Sequence, residues 1–189
     1  MSTVDSSNGA DAMPSGKWSL DATRSSVAFA MKHMIFATVD GRFREFDGTL
    51  ELGEDAPRAS GVVQAASIDT NEPVRDEHVR QSPDFFDVER YPEIGFNSTR
   101  IDYLGGGQLH IRGELTMRGV TREIELDGQL DSARSEPRGD ERIELTLRGE
   151  LNRRDFGLVW NQALETGGAL LGNKVKIVLA LSVVRLDAA

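Results

Sequence analysis

The strongest pattern along the chain is a two-residue period. In IRGELTM, Ile111, Gly113, Leu115 and Met117 alternate with Arg112, Glu114 and Thr116. TREIELDGQL sets Ile124, Leu126 and Leu130 against Glu123, Glu125 and Asp127. RIELTLRGEL sets Ile143, Leu145, Leu147 and Leu151 against Glu144, Thr146 and Arg148. Successive strand side chains point to opposite faces, so these runs predict antiparallel strands with one dry and one solvated side. Further strands are predicted over 18–23, 26–33, 49–52, 60–68, 93–103 and 174–186. Turn chemistry separates them into hairpins, at Gly105-Gly106-Gly107, at Arg118-Gly119 and in a loop over 132–141 that holds Pro137 and Gly139. One short helix is expected, starting at Pro73 and stopping at the Ser82-Pro83 step, because proline suits a first helical position and disfavours helix before it.

A large sheet with so little helix to cover it buries its apolar face against a second sheet or against itself. Gly41, Gly48, Gly61, Gly95 and Gly113 lie in or beside the strands, where glycine often marks the bends and bulges that curl a sheet shut, and this favours a barrel. Residues 1–16 are small and polar and read as a disordered tail, leaving one all-β domain over 17–187.

Charge and composition narrow the chemistry. The 22 basic and 31 acidic residues give a formal charge of -9, which repels nucleic acid and anionic membrane surfaces. No cysteine is present, so disulfides, thiolate catalysis and thiolate-bound metals are excluded. No apolar run has the length of a bilayer span, and the opening stretch lacks a secretory apolar core. The expectation is a cytoplasmic protein with no stable membrane insertion. The histidines at 33, 78 and 110 lack a zinc-protease spacing, and no P-loop, dinucleotide fingerprint or serine elbow occurs, so neither metal nor cofactor is expected.

Four segments resemble the YceI-like, polyisoprenoid-binding family in order and spacing: SSVAFAMKHM at 25–34, ASIDTNEPVRDEHVRQSPDFFDVERYPEIGF at 66–96, GELTMRGVTREIEL at 113–126 and NRRDFGLVWNQALETGGALLGNKVKI at 152–177. Together they span nearly the whole chain after the tail, and the second is the most specific. The resemblance implies an extended, lipocalin-like antiparallel barrel of about eight strands with one or two short helices. It also implies that the interior carries a long isoprenoid or fatty lipid, such as a polyprenyl chain or an isoprenoid quinone, and that the protein is not an enzyme. Some relatives are periplasmic and some are dimers, so a homodimer is the one protein partner it offers. At Asn173 and Lys174 this chain departs from the acidic residue many relatives carry there.

On that reading the lining residues are Phe29, Met31, Phe43, Phe96 and Leu115, with Val27, Phe29 and Met31 on one strand face and Ile94 and Phe96 on another. His33 follows in phase and either contacts a polar headgroup or bonds a backbone carbonyl. Arg75 and His78, three apart on the helix, share a face toward the barrel mouth, while Asp76 sits off it; Arg75 and Asp76 alternatively pair with loops to lock the helix. Phe85 and Phe86 form a hydrophobic plug or an entrance gate, and Phe156 and Trp160 are core residues that also touch a chain at the mouth. His110 is expected to be exposed. Two other readings stay open. One is a lipid hydrolase or isomerase using His33 or His78 with Asp76 or Asp87; the other is a barrel filled by its own side chains that serves as a stress or interaction scaffold.

Overall fold

The computed structural model describes residues 13–34, 36–53, 56–131, 133–135, 140–163 and 170–186. Strands β1 (Gly16–Leu20), β2 (Ser26–His33), β3 (Ala37–Phe43), β4 (Phe46–Leu52), β5 (Arg58–Gln64) and β6 (Ile68–Asp69) precede the helix α1 (Pro73–Gln81). Strands β7 (Glu93–Gly105), β8 (Gln108–Met117), β9 (Val120–Leu130), β10 (Arg134–Ser135), β11 (Glu141–Asn152) and β12 (Leu171–Arg185) follow it. Burial alternates as the sequence pattern requires: in β8, Leu109, Ile111, Gly113, Leu115 and Met117 are buried while the residues between them are not. Each such aliphatic side chain contributes about 1.5–3 kcal/mol when removed from water.

Hydrogen bonds lead from β11 through β9, β8, β7, β5, β4, β1 and β12 back to β11, so eight strands close a barrel. Strand β12 is the seam. One of its edges pairs with β11 from Arg142↔Val184 to Asn152↔Lys174. Its other edge is divided between β1, which takes Trp18↔Arg185 to Leu20↔Val183, and β2, which takes Ser26↔Ala180 to His33↔Leu171. The jog between them is a 3-10 turn, Ala22–Arg24, capped by the Asp21 carboxylate accepting from Thr23 N at 3.1 Å. The strand expected over 18–23 therefore stops at Leu20, because Asp21 offers its backbone a competing local bond.

Several other expectations are corrected. The run over 60–68 is broken by a 3-10 turn, Ala65–Ser67, into β5 and β6. Strand β3 was not foreseen. The loop expected over 132–141 contains β10, whose Arg134 and Ser135 pair with Arg142 and Glu141. Register shifts fall at Ser98/Arg100, Tyr103/Gly105 and Leu171/Val175; of the glycines picked out in the sequence, Gly113 stands opposite the first shift, as the partner of Ser98, and the other four adjoin none. Of the expected tail, residues 1–12 lie outside the described residues; Gly16 already pairs with Leu52, and Met13 packs against the core.

The two ends of the barrel differ. At one, Trp18, Leu52, Leu109, Leu130 and Ile143 are buried against one another, and the Arg185 guanidinium covers the Trp18 ring at 5.5 Å. At the other lie the β2–β3 turn, the β8–β9 turn, the segment after β11, and α1. The β8–β9 turn is Arg118-Gly119, both with positive φ (53° and 72°), the two-residue turn whose twist matches a hairpin. Arg118 donates from that turn to the carbonyls of Gly157 and Pro83, tying three mouth segments together.

Candidate functional site

Above the packed end the barrel is hollow. A cavity of about 380 Å³ runs up to the mouth, within the range of small-molecule sites. On β12 its wall is Val175, Ile177, Leu179, Leu181 and Val183, spanning roughly 26 Å of strand at about 3.3 Å per residue. Leu145 and Leu147 on the adjoining β11, Ile124 and Leu126 on β9 and Leu115 on β8 carry the wall on around the barrel. A barrel of this strand number is just wide enough for its own side chains to fill. Here the largest of them are laid flat on glycine. A Cβ on Gly41 would stand 2.3 Å from Phe29 Cζ, and one on Gly113 would stand 2.3 Å from Phe96 Cζ. In the same way Leu126 lies over Gly149 and Leu147 over Gly128. These close approaches leave room in the lumen that rings projecting inward would occupy.

The titratable nitrogen groups on the cavity gather at the mouth, where α1 brings Arg75 and His78 beside His33 and Arg153. The helix is fixed from below: Asp76 is buried off the cavity and accepts from Thr70 N (3.0 Å) and Thr70 Oγ1 (2.5 Å). Arg75 donates to Thr70 Oγ1 and Thr70 O, both at 2.8 Å, and Arg80 donates to the carbonyls of Ala66 and Ile68. The locking role proposed for Arg75 and Asp76 is what the geometry shows, and Arg75 and His78 still both face the cavity. The His78 ring meets Phe85 at 5.7 Å and Trp160 at 5.6 Å, each edge-on, and Phe85 meets Trp160 at 5.4 Å. Phe86 meets Phe43 at 5.9 Å, which in turn meets Phe29 at 5.6 Å. Phe85 and Phe86 are both buried and border the cavity from α1's side.

His33 is half-buried and lines the cavity in phase with Val27, Phe29 and Met31; its imidazole makes no hydrogen bond among the described residues, so the carbonyl-bonded alternative is not observed. Phe156 is a core residue as expected and is corrected only as a lining one. It is buried, but the 3-10 turn Arg153–Phe156 carries it to the outer side of the wall beside Ile124 and Ile177, away from the cavity. His110 is corrected as well: it is half-buried on the outer face, with Nδ1 2.6 Å from Asp127 Oδ1. The other lining candidates, Phe29, Met31, Phe43, Phe96, Leu115 and Trp160, all border the cavity.

Sequence reasoning missed Arg153. It is 2% exposed, borders the cavity, and donates to the carbonyls of Gly172 (2.8 Å), Leu158 (2.6 Å) and Trp160 (2.9 Å), holding the segment after β11 against β12. Burial first, and then the neighbouring Arg154 charge, lower its pKa. No carboxylate pairs with it among the described residues; Asn173 Oδ1 faces it at 3.5 Å, at the position where the family resemblance leads one to expect an acid. The only sequence signal was that departure, since a basic pair in NRRDF otherwise reads as surface.

Comparison with known proteins agrees with this architecture. Residues 18–183 match the YceI-like domain. A UPF0312 protein of Staphylococcus epidermidis is 32% identical over 164 residues, covering 85% of this chain and 92% of that one. Protein YceI of Escherichia coli O157:H7 is 34% identical over 135 residues, 70% of each chain. Among solved structures, Burkholderia cenocepacia BcnA superposes with a TM-score of 0.74 at 20% identity, covering 86% of this chain and 98% of that one. A polyisoprenoid binding domain from Saccharophagus degradans superposes with a TM-score of 0.67 at 18% identity, covering 89% and 98%. At such identities the superpositions speak to fold.

Proposed function

The chain belongs to the YceI-like family, and from that premise we propose that it carries one long isoprenoid or fatty chain lengthwise in its barrel, with the polar end of the ligand at the mouth. The observation that carries this reading is the cavity of about 380 Å³, apolar along its length and bordered at the mouth by Arg75, His33 and His78. Its fold neighbour from Saccharophagus degradans, a polyisoprenoid binding domain, supports the ligand class. Burying hydrocarbon is worth about 0.8 kcal/mol per methylene, so one five-carbon isoprene unit contributes roughly 3–4 kcal/mol before ordering costs. A few units therefore suffice for firm binding, and a longer chain is selected by fit to the tunnel. The mouth groups then set which way the ligand points.

Binding is favoured over turnover by how the polar groups are engaged. The carboxylate of Asp76 is occupied by Thr70, the rings around His78 are aromatic, and among the described residues neither His33 nor His78 is bonded to a carboxylate. The hollow likewise favours a carrier over a filled scaffold. The test is to purify the protein gently, extract it with organic solvent and analyse the extract by mass spectrometry, then titrate ligand-free protein with geranylgeraniol and with a short-chain quinone. About one lipid per barrel and a rise in melting temperature on adding either probe are expected, since a ligand of the native state alone stabilises it. A lipid-free extract together with no thermal shift by either probe would refute the reading.

A further inference from the structure

Seven large hydrophobic side chains stand exposed among the described residues, and their placement is uneven. Leu104 and Leu186 belong to the packed end and Val178 to the outer wall. The other four, Met34 (52%), Phe36 (91%), Val74 (79%) and Val159 (45%), stand around the mouth. Their positions follow from contacts. Met34 N donates to the carbonyl of Leu170, a cavity residue, and Phe36 lies just before β3 in the same β2–β3 turn. Val74 lies one helical turn before His78 on α1, hence on the face that meets Trp160. Val159 adjoins Trp160, and the backbone N–H of each donates to Asp84 O. Turns are ordinarily built from glycine, proline and small polar residues, so a turn carrying Met34 and Phe36 has been given over to something other than solvation. Exposed apolar side chains collected around one opening mark an interaction surface.

We propose that this rim docks the barrel, mouth down, on the surface of a lipid bilayer, with Phe36 and Met34 reaching among the acyl chains. The proposal rests on the lipid-carrier reading of the cavity. The occupant is identified by continuity: the rim encircles the opening of an apolar tunnel, and only a bilayer presents hydrocarbon directly at that opening. Each methylene exposed to water costs about fourfold in equilibrium, so a chain showing ten of them while crossing water would be disfavoured roughly a millionfold. A rim seated in hydrocarbon removes that crossing. Charge does not drive the contact. Lys32, Arg75 and Arg118 stand by the mouth, Glu72, Glu77 and Asp84 offset them there, and the chain as a whole carries -9, so insertion of apolar side chains is the binding force and neutral lipid is accepted.

The experiment is flotation of the whole protein with phosphatidylcholine vesicles and with vesicles one third phosphatidylglycerol, at low and high salt. It is run beside farnesol titration in vesicle-free solution. The wild type floats with phosphatidylcholine vesicles independently of salt. The double variant Met34→Ser, Phe36→Ser partitions at least about tenfold less while keeping its farnesol affinity and melting temperature. Val74→Ser, on a separate element, lowers partition by a smaller factor. Docking is overturned if the wild type and double variant float alike, if the wild type binds farnesol but ignores both vesicles, or if it binds only anionic vesicles and is released by salt. It is also overturned if sedimentation velocity shows a wild-type dimer that the serine variant dissolves, which would assign the rim to a second copy of the chain. A wild type that takes up no farnesol ends the carrier reading and docking with it.

Discussion

The seating of Phe29 on Gly41 makes a sharp prediction about the width of the tunnel. In Gly41→Ala the new methyl carbon would stand 2.3 Å from Phe29 Cζ and 2.8 Å from both Cε atoms, with no backbone atom among the near contacts. Carbon contacts settle at about 3.5–4.0 Å, so the ring must retreat by roughly 1.5 Å, and its free side is the lumen. Stability should change little. Overpacking a dense core costs about 1–3 kcal/mol, but the hollow accepts the ring, and replacing glycine restores about 0.4–1 kcal/mol by restricting the unfolded chain. The melting temperature is thus expected to stay within about 4 °C of wild type. Ligand binding should suffer instead. Displacing contact equivalent to two methylenes costs about 1.6 kcal/mol, near 15-fold in Kd, measured by calorimetric titration with geranylgeraniol. Adding Phe29→Leu to Gly41→Ala removes the displaced ring and should recover most of the affinity. An unchanged Kd in Gly41→Ala would show that the ring does not border the occupied path.

Three further outcomes are expected. Gly113→Ala, unlike Gly41→Ala, brings its methyl within 2.7 Å of the Asn97 carbonyl as well as onto Phe96, so the sheet itself must move; it should lower the urea midpoint by an amount equivalent to about 1–3 kcal/mol. Asn173→Asp supplies the carboxylate that Arg153 lacks and should stabilise by about 1–2 kcal/mol near neutral pH; because the new carboxyl titrates below its unfolded value, the gain disappears in thermal melts as pH falls below about 4. Asp21 is held below the usual carboxylate range by the Thr23 hydroxyl and then by Arg142, so its contribution is complete above the unfolded pKa and lost as pH falls through the folded one. Asp21→Asn should lower the neutral-pH urea midpoint, and the gap from wild type should close in acid.

Much of the barrel was legible because β8, β9 and β11 keep strict alternation, and α1 because Pro73 and Pro83 bracket it. Strand β3 was hidden for a reason that bears on function. Its inward positions are Val39, Gly41 and Phe43, and the missing apolar side chain at Gly41 is supplied from β2 by the ring of Phe29, which no reading of one segment detects. The lining residues on β2, β7 and β8 followed from phase alone. Phe156 did not, because a 3-10 turn resets phase after β11 and puts it outside the wall. Arg153 was nearly hidden for the opposite reason: apart from Asn173, its partners are backbone carbonyls, which leave no mark on residue type.

The divided edge of β12 bears on how the chain comes to be folded. Trp18 and Arg185 meet across it, as do Phe29 and Ile177, so β1 and β2, paired with β4 and β3 on one edge, find the neighbour for their other edge only in the last strand described. A nascent chain leaving the ribosome can form the local hairpins of β7, β8 and β9 early, but β1 and β2 each wait with one bare edge until β12 has been synthesised. Pairing of such high sequence separation is slow and leaves unsatisfied strands prone to aggregation. Closure of this barrel therefore waits for β12, and a nascent chain of this design has most need of a chaperone in the interval just before that strand arrives.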